Sequence, residues 1–129
     1  MSAQHRPDGI QLHTRSRELE LSYPGGENYR LSCEFLRVHS PSAEVRGHGR
    51  GQEVLQTGKQ KVAITAIRPV GNYALQLVFD DGHDTGLYSW EYLYQLCQER
   101  EQLWQTYLDQ LQAAGASRDP DVQVVKLSL

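Results

Sequence analysis

The stretch Asp80-Asp81-Gly82-His83-Asp84-Thr85-Gly86 sets one histidine among three carboxylates, residue types able to bind a metal ion or move a proton. Imidazole titrates near neutrality, and a neighbouring carboxylate raises its pKa. The same residues have a second reading. Aspartates and glycines are what a tight connection needs, and His83 would then serve only as a backbone hydrogen-bonding group. A non-haem iron site asks for two histidines and a carboxylate on three corners of an octahedron. His83 and Asp84 are adjacent, where side chains diverge, while His39 and His48 lie in a long loop and reach the turn only through the fold. If a metal binds, His83, His39, His48 and Asp84 are the residues to hold it.

A second constellation is Arg46-Gly47-His48-Gly49-Arg50-Gly51, followed by Lys59 and Lys61. Backbone N–H groups and guanidinium forks of this kind can cradle an anion; a solvated loop has the same composition. It is no Walker A loop. Thr57-Gly58-Lys59-Gln60 lacks the hydroxyl residue after the lysine, and Glu53 stands where the first glycine belongs. The sequence holds no nucleophile elbow, zinc-ligand cluster or dinucleotide fingerprint. Trp90, Tyr94, Trp104 and Tyr107 form an aromatic stripe at helical spacing, read as core, with any excess available to a partner.

The elements that must position these residues emerge from periodicity. A short strand is expected around Ile10 and Leu12, and Leu19, Leu21 and Tyr23 alternate as in a half-buried strand. After the turn Pro24-Gly25-Gly26-Glu27-Asn28, alternation resumes at Tyr29, Leu31, Cys33 and Phe35, giving a hairpin. Residues 39–61 lack periodicity and read as a long loop, the first place to seek a site. Val62 to Val70 and Tyr73 to Phe79 flank Gly71-Asn72, a second hairpin. Ser89 is placed to cap a helix that Gly115 ends, with a break near Glu99-Arg100-Glu101. Residues 116–129 read as a tail that either adds an edge strand or stays free. The expected fold is α+β: an antiparallel sheet built from hairpins, with a C-terminal helix, broken in two, packed on one face. The expected organisation is a loose segment over 1–16, a domain over 17–115 and the tail 116–129.

Composition bounds the function. The 129 residues match one ordinary domain, and the net charge of −3 argues against generic nucleic-acid binding. Cys33 and Cys97 make no disulfide framework and read as buried thiols. The first residues carry no signal-peptide apolar run, no stretch approaches ~20 apolar residues, and the expected location is the cytoplasm.

Four motifs, in order, carry a family resemblance: Leu36-Arg37-Val38-His39-Ser40-Pro41-Ser42-Ala43-Glu44-Val45, Gly58-Lys59, Val70-Gly71-Asn72-Tyr73-Ala74-Leu75, and Asp81-Gly82-His83-Asp84-Thr85-Gly86-Leu87-Tyr88-Ser89-Trp90. Together they resemble the gamma-butyrobetaine hydroxylase-like N-terminal domain over roughly residues 10 to 97, a family long labelled as of unknown function. In the hydroxylase this domain binds a structural zinc through three cysteines and the histidine of the Asp-Gly-His motif. The histidine corresponds to His83, and the cysteine positions to Ser40, Ser42 and Val45. The resemblance therefore implies that the family zinc site is lost and no cofactor is expected. The sequence ends where an oxygenase domain would begin, so no hydroxylase activity is expected. Similar domains occur fused to Mrp-type P-loop ATPases of iron–sulfur cluster assembly, which suggests an accessory role there. The expected function is a non-catalytic binding module with a protein partner, an Mrp-type ATPase or a metalloprotein. Metal binding through His83 is the competing reading. A third, a small enzyme with His83 as general base beside Asp81 or Asp84, lacks an accompanying nucleophile. The expected interaction surface is Arg37, His39, Arg46, His48, Arg50 and Lys59, with Asp81, Gly82, His83, Gly86 and Trp90 as the structural motif.

Overall fold

The computed structural model describes residues 5–47 and 51–122. Leucine alternation builds the first sheet. Strands β1 (Gly9–His13), β2 (Glu18–Ser22) and β3 (Asn28–Ser32) form an antiparallel meander with β2 at its centre. Leu12, Leu19 and Leu31 align across it, as do Ile10, Leu21 and Tyr29. Leu19, Leu21 and Leu31 are fully buried, so a one-residue slip would turn the core face outward. The division of the chain at residue 17 falls inside the β1–β2 hairpin.

The alternation that continues through Cys33 and Phe35 is not strand. Ser32 accepts the Phe35 N–H at 3.0 Å and caps helix α1 (Cys33–Val38). All six residues of this short helix are buried, so it shows no polar face from which a helical period could be read. A second one-turn helix, α2 (Ala43–Arg46), is capped by Ser42. The remainder of the 39–61 loop is irregular but tethered: Val54 N–H reaches Val45 C=O at 2.8 Å, and Tyr107 hydroxyl reaches Gln56 C=O at 2.8 Å.

Strands β4 (Ile64–Val70), β5 (Ala74–Phe79) and β6 (Leu87–Ser89) form the second antiparallel sheet, in that order. Gly71 takes φ +54 in the β4–β5 turn, and Pro69 sits on an edge strand, where proline within a sheet is tolerated. Ser89 caps α3 (Trp90–Gln98) by accepting the Tyr92 N–H. The helix breaks at Glu99, α4 (Arg100–Ala114) comes next, and Gly115 ends it in the left-handed conformation. The expected α+β architecture is thus what the chain adopts, its strands divided between two three-stranded sheets. Leu36, Leu77, Phe79, Tyr88, Leu93 and Leu96 join the leucines of β2 and β3 in one core, where Cys33 and Cys97 are buried free thiols. A smaller cluster, Val38, Tyr107 and Leu111, seats the loop residue Leu55 on α4. Among the described residues no helix is long and apolar enough to cross a membrane.

Candidate functional site

Phe79 closes β5 by donating its N–H to the His83 carbonyl, and Gly82 takes φ +88, a conformation that costs glycine nothing. This turn points His83 inward, with 2% of its side chain exposed. Its ring lies between the α1–α2 connection and α2. Nδ1 is 3.2 Å from Glu44 Oε2, and Nε2 is 2.8 Å from Ser40 Oγ. The carboxylate can only accept, which places the ring proton on Nδ1 and makes Nε2 the acceptor of the Ser40 hydroxyl. Ser40 Oγ in turn accepts the Ser42 N–H, and Ser42 Oγ meets Thr85 Oγ1 at 2.7 Å.

Glu44, His83 and Ser40 stand in the order of a carboxylate–imidazole–hydroxyl triad, but their setting is that of a packed joint. Ser40 is 1% exposed. Its Oγ lies against Gly86, where a Cβ would collide with it, beside Tyr88 and Pro41. An acyl group has no approach to that hydroxyl.

A second polar hub flanks the first. Asp81 Oδ1 accepts the His83 N–H, while Oδ2 accepts from Arg37 Nε at 2.9 Å and Lys59 Nζ at 2.6 Å. Burial raises the Asp81 carboxyl, but Lys59, the His83 N–H and Arg37 outweigh it and bring it to about 2. Burial, then the Arg37 charge, lower the His83 pKa against the opposing pull of Glu44 and Asp81. Geometry alone would make His83–Glu44 an ion pair. The covered ring argues for the neutral imidazole.

Stability should therefore depend on pH. The unfolded chain takes up a proton on His83 before the folded chain does, so this stabilising contribution is full above pH ~6.5 and fades as pH falls below it. His39, also lowered by burial, adds to the same limb. Urea unfolding at pH 5.5 and 7.5 is expected to show lower stability at the acid value. The difference should shrink in His83→Gln and shrink further when His39→Gln is added; an unchanged difference would refute the assignment.

The proposed metal set is not brought together. Among the described residues no three histidine, cysteine, aspartate or glutamate side chains gather to hold an ion. His39 uses Nδ1 on the Phe35 carbonyl, and Asp84 offers its carbonyl to Gln76. His48 and Arg50 lie outside the described residues. The zinc positions of the resemblance, by contrast, do converge in part: Ser40 touches His83, and Ser42 lies beside it on Thr85. One imidazole, two hydroxyls and the buried aliphatic Val45 do not fit zinc, which takes thiolate, imidazole or carboxylate.

Two residues expected on an interaction surface are engaged by a carboxylate of this chain. Arg37 is buried, its side chain 8% exposed, because it answers Asp81, and Lys59 is drawn onto the same carboxylate. With Lys61 paired to Asp121, both lysines of the anion reading are engaged by carboxylates. His39 and Arg46 do line an open groove of about 630 Å³ between the loop and α3–α4. Its apolar wall includes Val54, Leu55 and Tyr107, and the Arg46 guanidinium lies 4.8 Å above the Tyr92 ring. Trp90 is buried and donates its indole N–H to the Asn72 carbonyl. Sequence reasoning passed over Glu44 as a His83 partner and the pairing of buried Glu34 with Arg118. An acidic residue just after a capping serine signals a helix start and nothing about its distant partner.

Two small antiparallel sheets, a broken C-terminal helix and a histidine turn locked onto the α1–α2 connection define a compact α+β module. The gamma-butyrobetaine hydroxylase-like, N-terminal family model matches residues 10–94, and the chain belongs to this family. It is similar to a protein of known NMR solution structure at 55% identity, with TM-score 0.82, covering 98% of this chain and 100% of that one. A second NMR solution structure is 53% identical, TM-score 0.77, covering 100% and 99%. A crystal structure of a DUF971-family protein of unknown function from Acidithiobacillus ferrooxidans ATCC 23270 is 38% identical, TM-score 0.62, covering 74% and 97%. No curated protein matches the chain.

Proposed function

We propose that the chain is a non-catalytic binding module, an accessory protein that docks a partner in the groove between the 38–56 segment and helices α3 and α4. The observation that carries this reading is the contrast between two neighbouring features. The titratable hub at His83 is sealed, with both ring nitrogens engaged. The groove beside it is open, apolar and walled by the same loop. In this reading His83 pins the loop and needs no zinc. The exposed Arg46 beside Val54 and Leu55 suits a partner that presents an apolar segment flanked by an acidic group. The resemblance suggests that partner's class: a P-loop ATPase of the Mrp type, or another protein of iron–sulfur metabolism.

The test is a titration of a purified Mrp-type ATPase with wild type and with the surface variants Arg46→Glu and Val54→Asp. Both sites are exposed, so thermal unfolding should be unchanged. The expected result is binding by wild type and at least a tenfold loss in each variant. No binding, or binding that neither variant weakens, would sink the proposal for this partner and groove.

A further inference from the structure

Few polar side chains line the docking groove, and one of them presents an unused acceptor. His39 follows α1, and its Nδ1 stands 2.9 Å from the Phe35 carbonyl. A carbonyl only accepts, so the ring proton sits on Nδ1 and Nε2 carries the lone pair. Burial, opposed by the Phe35 carbonyl, lowers the His39 pKa and keeps the ring neutral near pH 7. Among the described residues Nε2 has no hydrogen-bond partner. It is not sealed either: the buried side-chain nitrogen left without a partner is Arg37 Nη1. The ring packs on Phe35 with centroids 4.5 Å apart and meets Tyr107 edge-on at 6.5 Å, and the residue lines the groove. The lone pair therefore opens into an apolar groove.

Arg46 is the second pole, and Tyr92 joins the two. The Tyr92 hydroxyl donates to the His39 carbonyl at 2.6 Å, and its ring lies 4.8 Å beneath the Arg46 guanidinium. Among the described residues Arg46 is paired with no carboxylate. Glu53, the acidic residue of the lining, accepts the Gly51 N–H at 2.9 Å. An acceptor and a cation thus stand one tyrosine apart on a wall that includes Val38, Val54, Leu55 and Leu103.

An acceptor set in an apolar wall selects a donor carried on an apolar body. A lysine or arginine head would bring its charge up to Arg46. A phenol hydroxyl would bring lone pairs that need donors once out of water. Indole has a single polar atom that only donates, so one bond to Nε2 satisfies it. We propose that the groove takes a tryptophan side chain of the partner, with its indole N–H on His39 Nε2 and an adjacent acidic residue on Arg46. The proposal rests on the docking reading of this groove and names the side chain that anchors the partner there, a residue type that dominates interface energetics.

The experiment is an NMR titration of the full chain with probes that differ in one group. The peptide acetyl-Trp-Glu-amide and indole-3-acetate are expected to shift the resonances of His39, Leu55 and Tyr107. Benzothiophene-3-acetate keeps the ring shape and the carboxylate without the N–H, and should bind about tenfold more weakly, the worth of one hydrogen bond. Tryptamine, with a cation in place of the carboxylate, should also bind more weakly than indole-3-acetate. In His39→Phe, which keeps a ring and loses the acceptor, the preference for indole over benzothiophene should disappear. Equal binding of those two probes by wild type would overturn the proposal, and that comparison needs no variant to fold. So would indole shifts that fall outside the groove. Indole-3-acetate binding tenfold more tightly than the peptide would overturn it as well, assigning the groove to a free aromatic acid. The probes contain no ATPase, so a failed ATPase titration leaves this result readable, and failure of the probes leaves the ATPase titration to be judged on its own.

Discussion

Replacing Asp81 with alanine is expected to lower the unfolding free energy by about 3 kcal/mol, the low end of the range for breaking a buried ion pair. The cost arises on the partner. Arg37 has 8% of its side chain exposed, its Nη1 already has no hydrogen-bond partner among the described residues, and Nε would lose its only carboxylate contact. The figure is set low because Asp81 itself keeps 22% of its side chain in solvent and Lys59 can return to water. Three kilocalories is a large share of the 5–15 kcal/mol typical of a domain, and corresponds to a fall in Tm of roughly 10 °C at this size. The His83 N–H loses its acceptor in the same variant, so the loop joint should loosen with it.

A double-mutant cycle separates the pair from its surroundings. Arg37→Met removes the buried charge, and Asp81→Ala made in that background should cost far less than in wild type. A coupling energy near zero would show that Arg37 does not depend on Asp81. The acid limb gives an independent reading. The Asp81 carboxyl titrates near 2 in the folded chain and near 3.8 unfolded, so its contribution is complete above about pH 4 and is lost as pH falls toward 2. Asp81→Asn should flatten that part of the profile.

Elements set by local chemistry were legible in the sequence. Gly71-Asn72 between apolar runs marks its hairpin, Ser89 marks a helix start and Gly115 a helix end, because each acts on backbone within a turn of itself. Ser32 carries the same kind of signal, but Cys33 and Phe35 extend the strand alternation past it, and tertiary burial of the entire α1 turn overrides that local pattern. The division into two sheets was not legible, since strand partners on either side of a long loop leave no local mark. The candidate site shows the same boundary. The Asp-Gly-His motif announces a turn. It does not announce that His83 meets Glu44 and Ser40 or that Arg37 crosses to Asp81, contacts between segments far apart in the chain. Arginine is seldom buried unless paired, so Arg37 could be placed on the surface by type and inside only once its partner is known.

Arg118→Ala is expected to cost about 3 kcal/mol for a related reason, with the charge left behind now negative. Glu34 sits on α1 with 6% of its side chain exposed, and Arg118 grips it with Nε and Nη2 at 2.8 and 2.7 Å while stacking 4.9 Å over Trp104. This bidentate, planar contact is one that lysine cannot reproduce, so Arg118→Lys should recover only part of the loss. Glu34→Leu combined with Arg118→Ala should recover most of it, because burying a partnerless carboxylate is what costs, and the ion pair itself has little net worth. The variant also reads the architecture of the groove. Arg118 anchors the segment whose carbonyls hold Gly58 and Gln60, so losing it should speed amide exchange at those two residues before the sheets respond. Exchange that rises uniformly across the chain would mean that Arg118 supports only global stability. A local rise would make it the post that holds the 58–60 segment against the end of α4.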